Sequence, residues 1–185
     1  MKYFTPELYQ QFNSFDVEEA ERADEAWDKA EVAYRERLAS IREHMPSQVA
    51  KLSELCLHDA LVVSRVEQVQ PAGEGRFFDG PYPFPLPGLW TAVAIVSVAV
   101  GEEIVSLIYC LSDRTTVKDA PEGWRFSKLQ EQWLYDEVDM MNDRRGPFVH
   151  RILFSTGITL EIPFVSVIIH RFTVPAVMKP AKQSA

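Results

Sequence analysis

The most constraining feature of this sequence is an alternation of apolar and polar residues between positions 148 and 164. The alternation runs on both sides of Ser155-Thr156-Gly157, a pattern typical of two antiparallel strands joined by a three-residue turn with a left-handed glycine. Such a turn fixes the register, so that His150 becomes a core histidine with one hydrogen bond. We expect five cross-strand pairs: Phe154 with Ile158, Ile152 with Leu160, His150 with Ile162, Phe148 with Phe164, and Arg151 with Glu161.

The residues that precede this ribbon predict two helices near the N-terminus. Asp16 is the expected N-cap of the first helix and Pro46 ends it, after which Ser47 begins a shorter helix that reaches Leu55 or Cys56. We expect Trp27 to be buried against the sheet or against a second subunit. The first helix is indicated by apolar or small residues at spacings of three and four: Ala20, Ala23, Trp27, Ala30, Tyr34, Leu38, Ile41 and Met45.

The chain after residue 60 predicts strands. β-branched and apolar residues favour strands over 60 to about 69, 90–100, 104–111, 132–140 and 165–174. Helices followed by strands indicate the α+β class, in which an N-terminal helical hairpin packs on a largely antiparallel sheet of six or seven strands. We expect one domain over 1–175, helical over about 16–58 and β over about 60–174, and a flexible tail at 176–185.

The charge of the chain is unfavourable for nucleic-acid binding. Its formal net charge is −8, whereas affinity for nucleic acid depends on clustered lysine and arginine side chains. Ten carboxylates and five basic side chains lie between residues 16 and 43. This segment predicts either a solvated helix face or an acidic docking surface.

The sequence carries no signal for export or for a membrane span. The residues after Met1 lack the apolar run of a secretory signal, and the longest apolar run, 89–100, is too short to cross a bilayer. Cys56 and Cys110 lie far apart, so we expect reduced and packed thiols. These features predict a cytoplasmic protein with no cofactor and leave the oligomeric state open.

His58, Asp59 and Asp136 are the candidates for catalysis. His58 is a general base in this hypothesis, which requires that a carboxylate such as Asp136 lies beside it. In the structural alternative, His58 bonds the carbonyl groups that end the second helix, while Asp59 bonds local backbone amides. The sequence lacks the signatures of phosphate-binding loops, zinc proteases and serine hydrolases, so no catalytic residue is assigned.

Glu137 and Asp139 are the candidates for a metal site, because on a strand they share one face while Asp136 lies on the other. Two carboxylates suit a hard cation such as Mg²⁺ or Ca²⁺, but a complete site needs further ligands. The alternative is a pair of exposed charges on an edge strand, where they discourage pairing with other sheets.

Residues 71–88 are rich in proline and glycine, which excludes a helix or a central strand. Four aromatic residues of this loop are the candidates for binding a protein partner: Phe77, Phe78, Tyr82 and Phe84. Proline-rich chain is already extended, so docking it to a partner costs little entropy. The alternative is a lid, in which these aromatic side chains fold back over the sheet.

Several stretches of the chain resemble a family of uncharacterised bacterial proteins: Met1-Lys2-Tyr3-Phe4-Thr5-Pro6-Glu7-Leu8-Tyr9, Leu57-His58-Asp59-Ala60, Trp133-Leu134-Tyr135-Asp136-Glu137-Val138 and Ile152-Leu153-Phe154-Ser155-Thr156-Gly157. The resemblance spans most of the chain. It implies no activity and assigns no catalytic residue.

These features favour a non-enzymatic interaction module whose acidic helices and aromatic loop contact an unidentified protein partner. One alternative is a small-molecule-binding protein or a metal-assisted, hydrolase-like enzyme that uses His58, Asp59 and the carboxylates at 136, 137 and 139. Another is a toxin-immunity protein. The enzyme requires that His58 and one of these carboxylates converge in a concave pocket.

Overall fold

Helices form the first part of the chain in the computed structural model, which describes residues 1–71, 90–141 and 148–173. Asp16 caps the longest helix by accepting a hydrogen bond from the Glu19 amide at 3.1 Å, as predicted. No described helix has the length and apolar character needed to cross a membrane. The described helices are α1 (Pro6–Phe12), α2 (Val17–Ile41) and α3 (Ser47–Leu52), with a 3₁₀ turn at Arg42–His44.

The remaining elements confirm the predicted α+β class. The described strands are β1 (Leu61–Pro71), β2 (Trp90–Val100), β3 (Glu103–Leu111), β4 (Thr116–Lys118), β5 (Trp133–Met140), β6 (Phe148–Phe154) and β7 (Thr159–Thr173). They form one antiparallel sheet in the order β1-β2-β3-β7-β6-β5, with β4 beside the first part of β7. Helix α2 packs on β5, and α3 packs on β7.

The ribbon of β6 and β7 has the predicted register. Four of the five expected pairs are in the ladder, and at the fifth, next to the turn, the amide of Phe154 donates to the carbonyl of Ile158 at 3.0 Å. Arg151 and Glu161 are bonded across the ribbon, with 3.0 Å between Nε and Oε2. Gly157 has a φ of 81°, so the turn takes the left-handed conformation that the sequence predicts.

The prediction of a separate last strand at 165–174 is wrong. Strand β7 continues without a break and changes its partner along its length, from β6 before Phe164 to β3 after it. Pro163, which has no N–H to donate, lies where the change occurs, and Ser112 donates to its carbonyl at 3.1 Å. This one long strand therefore joins the ribbon to β1, β2 and β3.

The two outer strands of the sheet, β1 and β5, meet at one end. Val62 donates to the carbonyl of Glu131 at 2.9 Å, Trp133 donates to Ala60 at 2.9 Å, and Asp59 donates to Trp133 at 2.8 Å. The sheet therefore curls on itself, and its concave side holds a buried cluster that includes Val49 and Leu52 of α3 and core residues of β2, β3, β5, β6 and β7. From residue 64 onward, β1 pairs with β2 alone among the described strands.

Two predictions about burial are wrong. Trp27 is half-buried, because it packs on Tyr135 of β5 within a cluster of aromatic rings that remains partly open to solvent. Cys56 is exposed just after α3, and Cys110 is half-buried. Both thiols are free, and partial burial raises the pKa of Cys110. The rings that surround Trp27 are those of Phe4, Tyr9, Phe12 and Tyr135.

Candidate functional site

His58 lies between α3 and β1 and bonds a strand, not the end of a helix as expected. Its Nδ1–H donates to the carbonyl of Leu134 in β5 at 2.6 Å, which fixes the tautomer because a carbonyl only accepts. The Nε2 atom lies 3.5 Å from the carboxylate of Asp59, and the ring packs on Tyr135. His58 therefore ties the start of β1 to β5.

Asp59 adopts a left-handed backbone conformation, with a φ of 63°. This region is open to glycine and accessible to aspartate, but it costs about 1 to 2 kcal/mol for residues with a bulky Cβ. We expect Asp59→Gly to change the free energy of unfolding by less than about 1 kcal/mol, and Asp59→Val to lower it by about 2 kcal/mol. Urea denaturation measures both values. Equal losses in the two variants would contradict the left-handed conformation.

Asp136 belongs to a buried chain of hydrogen bonds on the opposite side of β5 from Glu137. Its Oδ1 accepts from Trp133 Nε1 at 2.9 Å, and its Oδ2 lies 3.0 Å from His150 Nε2. His150 Nδ1 lies 2.7 Å from the hydroxyl of Tyr109. This fully buried histidine thus has two hydrogen bonds instead of the expected one. Asp136 is bonded to His150, and the structure does not bring it together with His58.

Tyr109, which is buried, and Tyr34, which is half-buried, keep their protons more tightly than an ordinary tyrosine does. Burial raises the pKa of Tyr109 well above its ordinary value, and the charge of Asp136 adds to the effect. Burial also raises the pKa of Tyr34, although the N–H that Val138 donates to its oxygen at 2.7 Å lowers it in part. Both hydroxyls therefore stay protonated in the folded chain at a pH where the unfolded chain loses these protons.

This difference predicts a loss of stability in alkali. Tyrosine in the unfolded chain ionises near pH 10. The contribution of these tyrosines to the free energy of unfolding is therefore fully present below about pH 10 and is lost as the pH rises further. Each such tyrosine contributes a slope of about 1.4 kcal/mol per pH unit. We expect Tyr34→Phe to make the fall of the unfolding free energy with pH less steep by the contribution of one tyrosine. Denaturant titrations between about pH 9 and about pH 11 measure it, and an unchanged slope in the variant would contradict the buried hydroxyl.

Glu137 is completely buried and holds the N-terminal segment of the chain against β5. Its carboxylate accepts hydrogen bonds from three successive backbone amides, those of Lys2, Tyr3 and Phe4, at 2.7 to 3.0 Å. Bonds to an ionised acceptor are stronger than bonds between neutral groups. We call this arrangement of Glu137 and residues 2–4 the Glu137 clasp.

Asp139 lies beside Glu137 and is also buried, with an exposure of 6%. It accepts from Arg37 Nε at 2.8 Å and lies 3.7 Å from Arg151 Nη1, which is 4.0 Å from Glu137. The alternative of exposed charges on an edge strand is therefore wrong. Within the part of the chain that the structure describes, no group of three or more His, Cys, Asp or Glu side chains is arranged to hold a metal ion.

The junction of α1 and α2 exposes apolar side chains. Phe15, in the link between the two helices, is 89% exposed, while Val17 is 69% and Phe12 is 39% exposed. We call Phe12, Phe15 and Val17 the apolar corner. The Arg125 guanidinium lies 4.4 Å from the centroid of the Phe15 ring and donates to the carbonyl of Asn13 at 2.8 Å. Arg125 therefore contacts one face of the Phe15 ring, while most of the apolar corner remains open to solvent.

A row of carboxylates begins beside this corner on α2. Glu21, Asp24 and Asp28 follow Val17 at spacings of four, three and four, which places them on one face of the helix. They are exposed and have no hydrogen bond or ion pair with any described residue. We call them the acidic stripe. Other carboxylates of α2 are paired with a base four residues later: Glu18 with Arg22, Glu25 with Lys29, and Glu31 with Arg35.

The four aromatic residues predicted to bind a partner, Phe77, Phe78, Tyr82 and Phe84, lie outside the described residues, as does the predicted tail at 176–185. The apolar corner has only a weak signal in the sequence. Phe12 and Phe15 both precede the cap Asp16 and do not belong to the apolar period of α2.

The chain matches no protein-family model, no curated protein and no solved structure.

Proposed function

We propose that the chain is a non-enzymatic interaction module that binds a protein with a basic surface through the apolar corner and the acidic stripe. The main support is the 89% exposure of Phe15 beside two further exposed apolar residues. Burying a phenylalanine side chain contributes about 1.5 to 3 kcal/mol, which a partner recovers when it covers this ring. Contiguous exposed apolar side chains commonly mark protein interaction sites. Phe15 is thus the proposed anchor.

The acidic stripe specifies the chemistry of the partner. Its three unpaired carboxylates lie on a chain whose net charge is −8, so the local potential is negative and attracts a basic surface. Protein interfaces commonly combine an apolar or aromatic centre with a polar and charged rim. In the proposed interface the apolar corner is the centre and the acidic stripe is the charged rim.

The contacts of the acid–base groups support a non-enzymatic role. His58 bonds Leu134, His150 bonds Tyr109 and Asp136, and Glu137 bonds backbone amides. A general base needs a lone pair directed toward a substrate. His150, Asp136 and Glu137 use their polar atoms for contacts within the fold. The Nε2 atom of His58 is partly exposed, but the carboxylate beside it is that of Asp59, at 3.5 Å, and Asp136 is bonded to His150 instead, so the predicted pair of His58 and Asp136 does not form.

Two triple variants with the same change in net charge test this proposal. The stripe variant carries Glu21→Gln, Asp24→Asn and Asp28→Asn. The control variant carries Glu18→Gln, Glu25→Gln and Glu36→Gln, which change exposed carboxylates on another face of the same helix. Each protein is used to capture its partner from a lysate of cells that express the chain.

We expect the stripe variant to bind the captured partner at least about tenfold more weakly, since 1.4 kcal/mol corresponds to a factor of ten. We expect the control variant to bind it as the unchanged chain does. Equal weakening in both variants would assign the effect to net charge alone. Unchanged binding in both would overturn the proposal. Urea denaturation verifies that all three proteins are folded.

The aromatic residues at 77, 78, 82 and 84 remain a second proposed contact. If they bind the same partner, replacing Tyr82 and Phe84 together weakens the complex while the folded state is unaffected, because aromatic anchors commonly dominate interface energies. Unchanged affinity in this double variant would confine the contact to the apolar corner and the acidic stripe.

A further inference from the structure

Strand β1 carries two charged side chains on the concave side of the sheet. Arg65 pairs with Val96 and Glu67 pairs with Ala94, and both partners belong to the buried core. Since residues i and i+2 of a strand share one face, Arg65 and Glu67 lie where the other strands place apolar residues. Val66, which lies between them, is 40% exposed. Arg65 and Glu67 are exposed as well, so the side of the sheet that elsewhere carries buried apolar residues carries exposed charged residues here, an inversion of the usual pattern.

A β-bulge causes this inversion. Val62 and Ser64 pair with two consecutive residues of β2, so Val63 is one extra residue in β1. Val62 packs on the core, and strict alternation from Val62 would place Ser64 and Val66 on the concave side. The bulge brings Arg65 there instead. Bulges are found next to functional sites, where they redirect a side chain.

Both redirected side chains line an open cavity of about 210 Å³. Three core residues, Ala94, Val96 and Leu160, contribute an apolar wall. Thr115 also lines the cavity, and its hydroxyl donates to Oε2 of Glu67. The volume is below the roughly 300 to 1,000 Å³ of pockets for drug-sized ligands, so the cavity has room only for a smaller molecule.

Arg65 is fixed in place while several of its donors remain unused. Its guanidinium lies 4.7 Å from the centroid of the Phe154 ring, and Nη2 lies 3.2 Å from Glu131. Thr156 in turn donates to Glu131 at 2.9 Å. The guanidinium group has five N–H donors, so it can still bind an anion. Oε1 of Glu67 has no hydrogen bond with the described residues and can accept from a cation.

We propose that this cavity binds a free α-amino acid with an aliphatic side chain. Arg65 binds the carboxylate, Glu67 binds the ammonium group, and the apolar wall contacts the side chain. The Cα atoms of residues i and i+2 of a strand lie about 7 Å apart, so the opposite charges of Arg65 and Glu67 can face the two charged groups of one zwitterion. Arg65 already faces Glu131, so a bound carboxylate shares the guanidinium with it, whereas Glu67 has no cationic partner among the described residues. This site is separate from the apolar corner and adds a ligand to the proposed interaction module.

Charges that point inward on an edge strand also protect a sheet from pairing with other sheets. This explanation predicts aggregation, and no change in ligand binding, when the charges are removed. The two explanations therefore differ in measurable results.

Titration calorimetry of the unchanged protein with three small molecules is the first test. L-leucine carries both charges, 4-methylpentanoate lacks the ammonium group, and 3-methylbutylamine lacks the carboxylate. We expect leucine to bind and each analogue to bind at least about tenfold more weakly, because each lacks one charge-assisted hydrogen-bonding group. Absence of binding by leucine, valine and methionine at millimolar concentration would overturn the proposal, as would equal binding of leucine and its analogues.

Two variants then locate the site. We expect Arg65→Gln and Glu67→Gln each to weaken leucine binding at least about tenfold. As a control, Glu103→Gln with Arg171→Gln removes an ion pair of 3.6 Å between β3 and the end of β7, and it is expected to retain full affinity. Unchanged leucine affinity in both cavity variants overturns the assignment, and aggregation with unchanged affinity assigns the charges to edge protection. If a cavity variant does not fold, the ligand series with the unchanged protein decides.

Discussion

Replacing Glu137 by alanine is expected to lower the free energy of unfolding by about 3 to 5 kcal/mol, the range found when one partner of a buried charged network is removed. The variant leaves the amides of Lys2, Tyr3 and Phe4 without their common acceptor. It also removes one of the two buried carboxylates nearest to Nη1 of Arg151, which has no hydrogen bond of its own. Denaturant unfolding measures the loss.

Glu161→Ala is the matched control for the Glu137 clasp. Glu161 is also a strand carboxylate bonded to Arg151, but its side chain is 26% exposed. We expect it to contribute at most about 1 kcal/mol, as partly exposed ion pairs do. Amide hydrogen exchange gives a second measurement, in which Tyr3 and Phe4 lose protection in the Glu137 variant and keep it in the control. Equal losses of stability in the two variants would contradict the clasp.

Gly157→Ala is expected to lower the free energy of unfolding by about 2 to 4 kcal/mol, because a left-handed backbone and a steric clash both oppose the added methyl group. An alanine Cβ would lie 2.6 Å from Cβ of Ala120 and 2.6 Å from Cδ2 of Trp124. The Trp124 ring has little freedom to move, since its Nε1 donates to the carbonyl of Ser155 at 2.9 Å.

Gly101→Ala separates the two costs at position 157. Gly101 also has a positive φ, of 60°, but no atom lies within 4 Å of the Cβ that alanine would add. Its replacement should therefore cost only the backbone strain of about 1 to 2 kcal/mol. Urea denaturation compares the two variants, and equal losses would show that the contacts around Gly157 yield without cost.

The ribbon and the long helix could be predicted because their signals are local. A glycine turn between alternating strands fixes the register of β6 and β7, and Asp16 marks the start of α2. Helix α1 also has local signals that favour it, since Thr5 caps it and Pro6 occupies its first turn. The periodicity of apolar residues does not reveal so short a helix. The continuity of β7 depends on β3, a partner about 60 residues away in sequence, and could not be predicted locally.

The environment of the candidate site residues could not be predicted, because it depends on contacts that are distant in sequence. A glutamate on a strand is normally exposed to solvent. Glu137 is buried because the amides that it binds lie more than 130 residues away, at the N-terminus. Asp139 is buried because Arg37 reaches it from α2. Alternation does predict that Asp136 lies on the other face of β5, where it bonds His150. Phe15 lies in the link between α1 and α2, and its exposure depends on how the two helices pack, which no local pattern specifies.

The most direct test of the proposed function is the affinity of the captured partner for the Phe15→Ser variant. We expect a dissociation constant at least about thirtyfold higher than that of the unchanged chain, as for an anchor that contributes about 2 kcal/mol or more. Stability should change by at most about 1 kcal/mol, since the side chain is exposed and loses only its contact with Arg125. Val165→Ser, at an apolar residue of β7 that is 50% exposed, is the control and should bind normally. An affinity of the Phe15 variant within about twofold of the unchanged chain would contradict the account.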